Sequence, residues 1–189
     1  MSASNPTSSG GPIVEGPLDP EHDATASLAL EPDYVARLTG RVVATTGESR
    51  EVISPLNGAP LAHIPQSSDD DVAAAFAKAR VAQEKWTATP VAERERILIK
   101  LHDLVLDRQD EILDLIVLES GKARKHAFDE PLHIALTARY YGRRSSKILD
   151  TERKLGVIPV LTRVELNHVP KGVVGIISPW NYPFTMALC

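Results

Sequence analysis

The residues best suited to do chemistry lie near the end of the sequence, in VPKGVVGIISPWNYPF, residues 169–184. Pro179 and Pro183 bracket Trp180, Asn181 and Tyr182. Proline fixes its own φ and restricts the residue before it, so this loop should hold the Asn181 side chain in a fixed place. A fixed amide N–H suits one task in particular, donation to an oxygen on which negative charge develops during reaction. The same residues also fit a proline-rich turn in which Asn181 only caps the backbone, and their types alone do not separate the two.

Other candidate motifs are weaker. Glu119-Ser120-Gly121-Lys122 is not a phosphate-binding loop, because the glycine that GxxxxGK needs at position 116 is Ile116. Gly121 is better explained as the residue that ends a helix. Gly172 and Gly175 do not make the GxGxxG of an ordinary dinucleotide-binding fold. The histidines at 22, 63, 102, 126, 133 and 168 include no pair four apart, and His126 and His133 have no matching carboxylates, so no metal is expected. The sole cysteine, Cys189, is the final residue, in the apolar run Met186-Ala187-Leu188-Cys189. It is expected to be a buried helix residue.

The elements that must position the loop can be read backwards from it. Gly172-Val173-Val174-Gly175-Ile176-Ile177 is a continuous apolar run, of the kind found in strands buried on both faces of a parallel sheet. Ligands of open α/β sheets collect outside the C-terminal ends of such strands, where Ser178–Pro183 would sit. Upstream, Val157–Val160 and the alternating Thr162–Val169 read as strands. A helix is expected over about Phe128–Leu149, whose Arg143, Arg144 and Lys147 form a solvated basic face. Ile112, Leu115, Ile116 and Glu119 mark a helix ended by Gly121. Ile97, Leu98, Leu101, Leu104 and Val105 mark another, begun by Thr89-Pro90. Ser68 and Asp71 form a capping pair ahead of Val72, Ala75, Phe76, Ala79, Ala82 and Trp86 at helical spacing. Residues 34–65 read as extended. Val42-Val43 and Val52-Ile53 form β-prone runs around a turn at Thr46-Gly47-Glu48, and a second turn at Ser54–Gly58 precedes Leu61–Ile64. Residues 1–30 are rich in Ser, Pro, Gly and Ala and read as a disordered tail.

The 189 residues carry 43% hydrophobic and 24% charged side chains with a formal net charge of −4. That composition is globular, and it offers no general pull toward nucleic acid or an anionic membrane. No apolar stretch has membrane-spanning length and no secretory signal is visible, so a cytoplasmic location is the default. One cysteine allows no intrachain disulfide.

The segment GVVGIISPWNYP closely resembles the signature of the aldehyde dehydrogenase superfamily. PLNGAPLAHIP resembles its early hairpin and DDVAAAFAKARVAQEKW its first helix. TPVAERERILIKLHDLVLDRQDEILDLIVLESGKA resembles its helical pair, and the match runs from about residue 40 to the end. The resemblance implies an α/β fold: the N-terminal part of the aldehyde dehydrogenase fold, truncated, with helices, an oligomerisation strand and the start of a Rossmann-like cofactor sheet. The expected divisions are a tail over 1–30, a helical and β part over 31–155, oligomerisation strands over 156–170, and the first cofactor strand with the active-site loop over 171–189. It implies Asn181 as the oxyanion-stabilising residue, and Ile177, Ser178, Pro179 and Trp180 as contacts to the ribose and nicotinamide side of NAD or NADP. Ser178 departs from relatives with an aliphatic residue there. The implied reaction is oxidation of an aldehyde, with succinate semialdehyde as a candidate, to a carboxylic acid through a cysteine thiohemiacetal and hydride transfer. The nucleophile and base are expected beyond residue 189, which would leave this chain inactive alone; the full-length form is expected to be a homo-oligomer. The alternative is a non-catalytic module that pairs with full-length subunits.

Overall fold

The computed structural model describes residues 32–189 except 57, 159 and 160. The expected tail over 1–30 therefore lies outside the described residues. The elements run α1 (Pro32–Thr39), β1 (Ser49–Ile53), β2 (Pro60–Pro65), α2 (Asp69–Ala88), α3 (Val91–Asp107), α4 (Gln109–Ser120), α5 (Arg124–Ala127), α6 (Asp129–Ile148), β3 (Glu152–Leu155), β4 (Arg163–Leu166) and α7 (Pro183–Leu188).

Local chemistry sets the start of α2 and the end of α4. Ser68 and Asp71 form a reciprocal capping box at the head of α2. Asp71 Oδ2 also accepts from the Thr45 backbone N–H at 3.0 Å and its hydroxyl at 3.1 Å, which pins the preceding loop to α2. Gly121 ends α4 in the left-handed conformation, φ 71°, which costs a glycine little. α6 covers 129–148, within a residue of each expected end.

The core lies where α4, α5 and α6 meet. Leu113, Ile116, Val117 and Ala127 form one buried cluster. Val105 from α3 joins Ile134 and Ala135 from α6 in another, and Ile112 and Phe184 pack against both. The main helix–helix contact is α3 against α6. The hairpin β1–β2 is antiparallel, with Val52 opposite Ala62 and a bulge after Val52. Its turn docks on the end of α4, where the buried Ser54 hydroxyl donates to the Leu118 carbonyl at 3.0 Å.

Several local expectations are corrected. Residues 34–39, read as extended, instead belong to helix α1: Asp33 suits its positive end, and Tyr34 donates from its hydroxyl to Glu111 at 2.5 Å. Val42-Val43 form no strand, because turn hydrogen bonds from Arg41 and Val42 back to Leu38 and Thr39 prolong the end of α1. The hairpin before residue 170 pairs β3 with β4, Glu152 opposite Leu166 and Leu155 opposite Arg163. Its first strand thus lies ahead of the expected 157–160. Val157 and Ile158 form a bend, and 159–160 lie outside the described residues.

Residues 172–177 differ most. They join no ladder among the described residues, whose sheets are the two hairpins. A strand needs a neighbour's backbone groups, and here the nearest neighbour is a helix. Gly172 lies against Gln83 and Gly175 against Phe76. Three extended residues and seven helical ones both span about 10 Å, so the segment runs along α2 in the opposite direction.

Candidate functional site

The loop after this segment is placed from its far side. Pro183 opens α7 at the first helical position, where a missing N–H is harmless. The next two backbone N–H groups, of Phe184 and Thr185, both donate to Glu130 Oε2, at 3.0 and 3.1 Å. The other carboxylate oxygen, Oε1, accepts from Lys122 Nζ at 2.6 Å. The Glu130 side chain is 0% exposed and that of Lys122 is 19% exposed. The Lys122 ammonium also lies 4.0 Å from the centroid of the Tyr182 ring, a cation–π contact. Phe184 then enters the core between α4 and α6. α7 is therefore held by one apolar side chain and one buried carboxylate.

Asn181 lies in the turn just ahead of α7, exposed, and its amide makes no hydrogen bond among the described residues. Its N–H groups are uncommitted among the described residues. Ile177, Ser178, Pro179 and Trp180 lead directly into it. Ile177 is 99% exposed and Trp180 85% exposed, while Ser178 is half-buried and Pro179 exposed. All five candidate residues thus lie on one continuous segment.

The expectation of a buried Cys189 is corrected. The thiol is exposed, at the end of α7, with Sγ 3.8 Å from the Thr137 hydroxyl. Phe184 sets the inward side of α7, and a residue five positions on lies about 140° around the helix. The basic residues Arg143, Arg144 and Lys147 are exposed on α6, as expected of a solvated face.

Two groups were not singled out from the sequence. Glu130 looked like an ordinary acidic residue in the first turn of α6. Lys122 was considered only as part of a failed phosphate-loop motif. The available signal was a base just after a glycine-ended helix and an acid eight residues on, too common to read without knowing the turn between them. A separate apolar cavity of about 250 Å³ lies between α1, the β1–β2 hairpin and α4, lined by Val35, Leu38, Val52, Leu61 and Leu115. Glu119 borders it, and desolvation raises its carboxyl above the usual range. None of the loop residues lines this cavity.

The sequence model of the aldehyde dehydrogenase family matches residues 42–189, from just after α1 through the Asn181 loop to the end. The chain belongs to that family. Among aldehyde dehydrogenase relatives, a Mycolicibacterium smegmatis protein is 45% identical over 141 residues, covering 75% of this chain and 27% of its own length. It is provisionally named an NADP-dependent succinate-semialdehyde dehydrogenase. An alpha-ketoglutarate semialdehyde dehydrogenase from Haloferax volcanii is 33% identical, covering 77% of this chain and 30% of its own. An NADP-dependent glyceraldehyde-3-phosphate dehydrogenase from Bacillus halodurans, solved with NADP, superposes with a TM-score of 0.71 at 31% identity. That match covers 78% of this chain and 32% of the solved one. The chain thus spans under a third of the length of these relatives, and the match to the solved structure supports the expected mixed α and β fold.

Proposed function

We propose that this chain carries part of the active site of an NAD- or NADP-dependent aldehyde dehydrogenase, with Asn181 as the oxyanion donor. The observation that carries the reading is the Pro-Trp-Asn-Tyr-Pro loop of a family member, with the amide of Asn181 exposed and uncommitted. Aldehyde oxidation puts negative charge on the former carbonyl oxygen. An amide N–H already aimed at that oxygen stabilises the transition state more than the ground state.

Ile177, Ser178, Pro179 and Trp180 fit the nicotinamide and ribose side of a dinucleotide in kind. They offer bare apolar surface with one hydroxyl beside it, and Asn181 adjoins them. NAD or NADP held against these residues would supply a hydride acceptor for the aldehyde carbon. The chain's own task is to hold the substrate oxygen on Asn181 and to offer the neighbouring apolar surface of Ile177 and Trp180 for contact. Succinate semialdehyde is the leading substrate, on the strength of the 45% identical relative's name. A cytoplasmic enzyme acting on a small aldehyde completes the reading. No helix among the described residues is long and apolar enough to cross a membrane.

A second reading rests on the exposed β3–β4 hairpin. Among the described residues each of its strands has one unpaired edge, and such edges accept further strands. The hairpin would join subunits in a homo-oligomer, or let this chain pair with full-length subunits without catalysing anything.

The test is reduction of NAD and NADP, followed by absorbance, with succinic semialdehyde and simple aldehydes. The full-length protein is expected to turn over, and reduction of neither cofactor with any aldehyde overturns the enzyme reading. The 189-residue chain alone is expected to be inactive. Turnover that Cys189→Ala abolishes would make Cys189 the nucleophile instead.

A further inference from the structure

Among the described residues Glu130 is the one fully enclosed carboxylate in contact with the loop region, and the reaction proposed above gives it no role. An ionised carboxylate away from water is tolerated only where it is paired and hydrogen-bonded. Glu130 meets that demand with three donors: Lys122 Nζ on one oxygen, and the N–H groups of Phe184 and Thr185 on the other. A well-packed apolar side chain would serve stability at least as well. What the carboxylate adds is direction, because it joins donors from two separate segments at one point.

Those segments flank Asn181. Lys122 reaches from the end of α4 to the face of Tyr182, the residue next to Asn181. Phe184 and Thr185 lie three and four residues beyond it. On the upstream side, residues 172–180 have no ladder among the described residues, and the Asn181 amide has no hydrogen bond of its own. Upstream the segment packs along α2 without a ladder, and the hydrogen bonds that fix the loop come from downstream, where Glu130 holds the first turn of α7.

We infer that Glu130, paired with Lys122, is a positioning residue for Asn181. It fixes the start of α7 so that the Asn181 amide is held ready for the substrate oxygen. This rests on the reading of Asn181 as the oxyanion donor. Displacement of a catalytic group by about 1 Å can lower a rate by as much as 10²-fold. The carboxylate need not touch substrate or cofactor to matter for the reaction.

The experiment compares Glu130→Gln with the unaltered protein in two settings. In the 189-residue chain, amide hydrogen exchange by NMR is followed at Phe184 and Thr185. Exchange there should quicken by at least about tenfold while α4 and the body of α6 stay protected, because a local anchor opens before the core does. In the full-length enzyme, kcat should fall by about 10–10² with the cofactor KM unchanged, and Glu130→Gln should add nothing on top of Asn181→Ala. Glu130→Asp keeps the charge for Lys122 but shortens the reach, and replaces Glu130→Gln if that variant does not fold. Unchanged exchange at Phe184 and Thr185, or losses that multiply fully with those of Asn181→Ala, overturn the inference. The failures are distinguishable. If Asn181→Ala still loses kcat while Glu130→Gln does not, only this inference falls. If Asn181→Ala itself leaves kcat intact, the oxyanion reading falls and takes the positioning role with it.

Discussion

A Cβ placed on Gly142 would lie 2.8 Å from Ile99 Cδ1 and 2.9 Å from its Cγ1, with the Glu95 carbonyl oxygen at 3.2 Å. α3 and α6 therefore cross where one helix has no side chain and the other fills the space with isoleucine. The crossing fixes α6, and α6 carries Glu130. Alanine in a helix gains about 1 kcal/mol over glycine, while overpacking a tight contact costs about 1–3 kcal/mol. Gly142→Ala is expected to destabilise the chain by about 1 kcal/mol in urea unfolding. In an Ile99→Ala background the same substitution should cost less, since the Ile99 contacts are gone and only the tight approach to the Glu95 carbonyl oxygen opposes the propensity gain. An equal effect in both backgrounds would remove Ile99 from the account.

The four long helices were legible in the sequence because their signals are local, whereas α1 lay in a run read as extended and α5 was not read at all. The Ser68 and Asp71 capping pair, the apolar spacing through Val105 and the Gly121 stop need no knowledge of the rest of the fold. The strands were less legible. Val42-Val43 has β-forming side chains, but α1 continues into turns there. Glu152–Leu155 has little to mark it, but Arg163–Leu166 offers it a partner. Residues 172–177 read as a buried strand because six apolar residues in a row describe a surface that wants covering, without saying what covers it. Of the proposed site, Asn181 and its loop are singled out by the sequence. The Lys122–Glu130 anchor is not, because it depends on α4, α6 and α7 meeting in space.

The carboxyl of Asp71 should make the α2 start sensitive to acid. Hydrogen bonds from the Ser68 and Thr45 backbone N–H groups lead in lowering its pKa from 3.8 to about 2. A carboxyl with a depressed pKa in the folded state contributes stability that is present above its unfolded value and lost as pH falls through the folded one. The contribution of Asp71 should therefore be intact above about pH 4 and fade toward pH 2. Thermal melts of the chain and of Asp71→Asn should differ at pH 5 and converge near pH 2. A gap of constant size across that range would assign the effect of the substitution to shape rather than charge.

The stretch from β3 to the Asn181 loop leaves much apolar surface in water. Leu155, Val157, Leu161, Val169, Val174 and Ile177 are all exposed, and exposed apolar patches with unpaired strand edges promote association. The 189-residue chain is expected to self-associate as its concentration rises, while the amides of α4 and α6 remain its best protected. Lysine at Leu161 and Val169 should reduce light scattering without lowering the melting temperature. A wild-type chain that stays monomeric at every concentration would show that this surface needs no cover.

Asn181 gives the sharpest test of the chemistry. Its side chain is exposed and unengaged, and the first turn of α7 behind it is tied to Glu130. A substitution there should cost the fold little, which separates its chemical role from its structural one. In the full-length enzyme, Asn181→Ala is expected to lower kcat by about 10²–10³, the usual cost of one lost oxyanion donor. Cofactor affinity should change far less, because the proposed contacts through Ile177 to Trp180 remain. Asn181→Asp should be at least as damaging, since it sets an anion beside the oxygen on which charge develops. Steady-state kinetics with direct cofactor binding on both variants checks the assignment. If Asn181→Ala keeps a near-normal kcat but loses the fold or the cofactor, Asn181 is a turn residue and another group must hold the oxyanion.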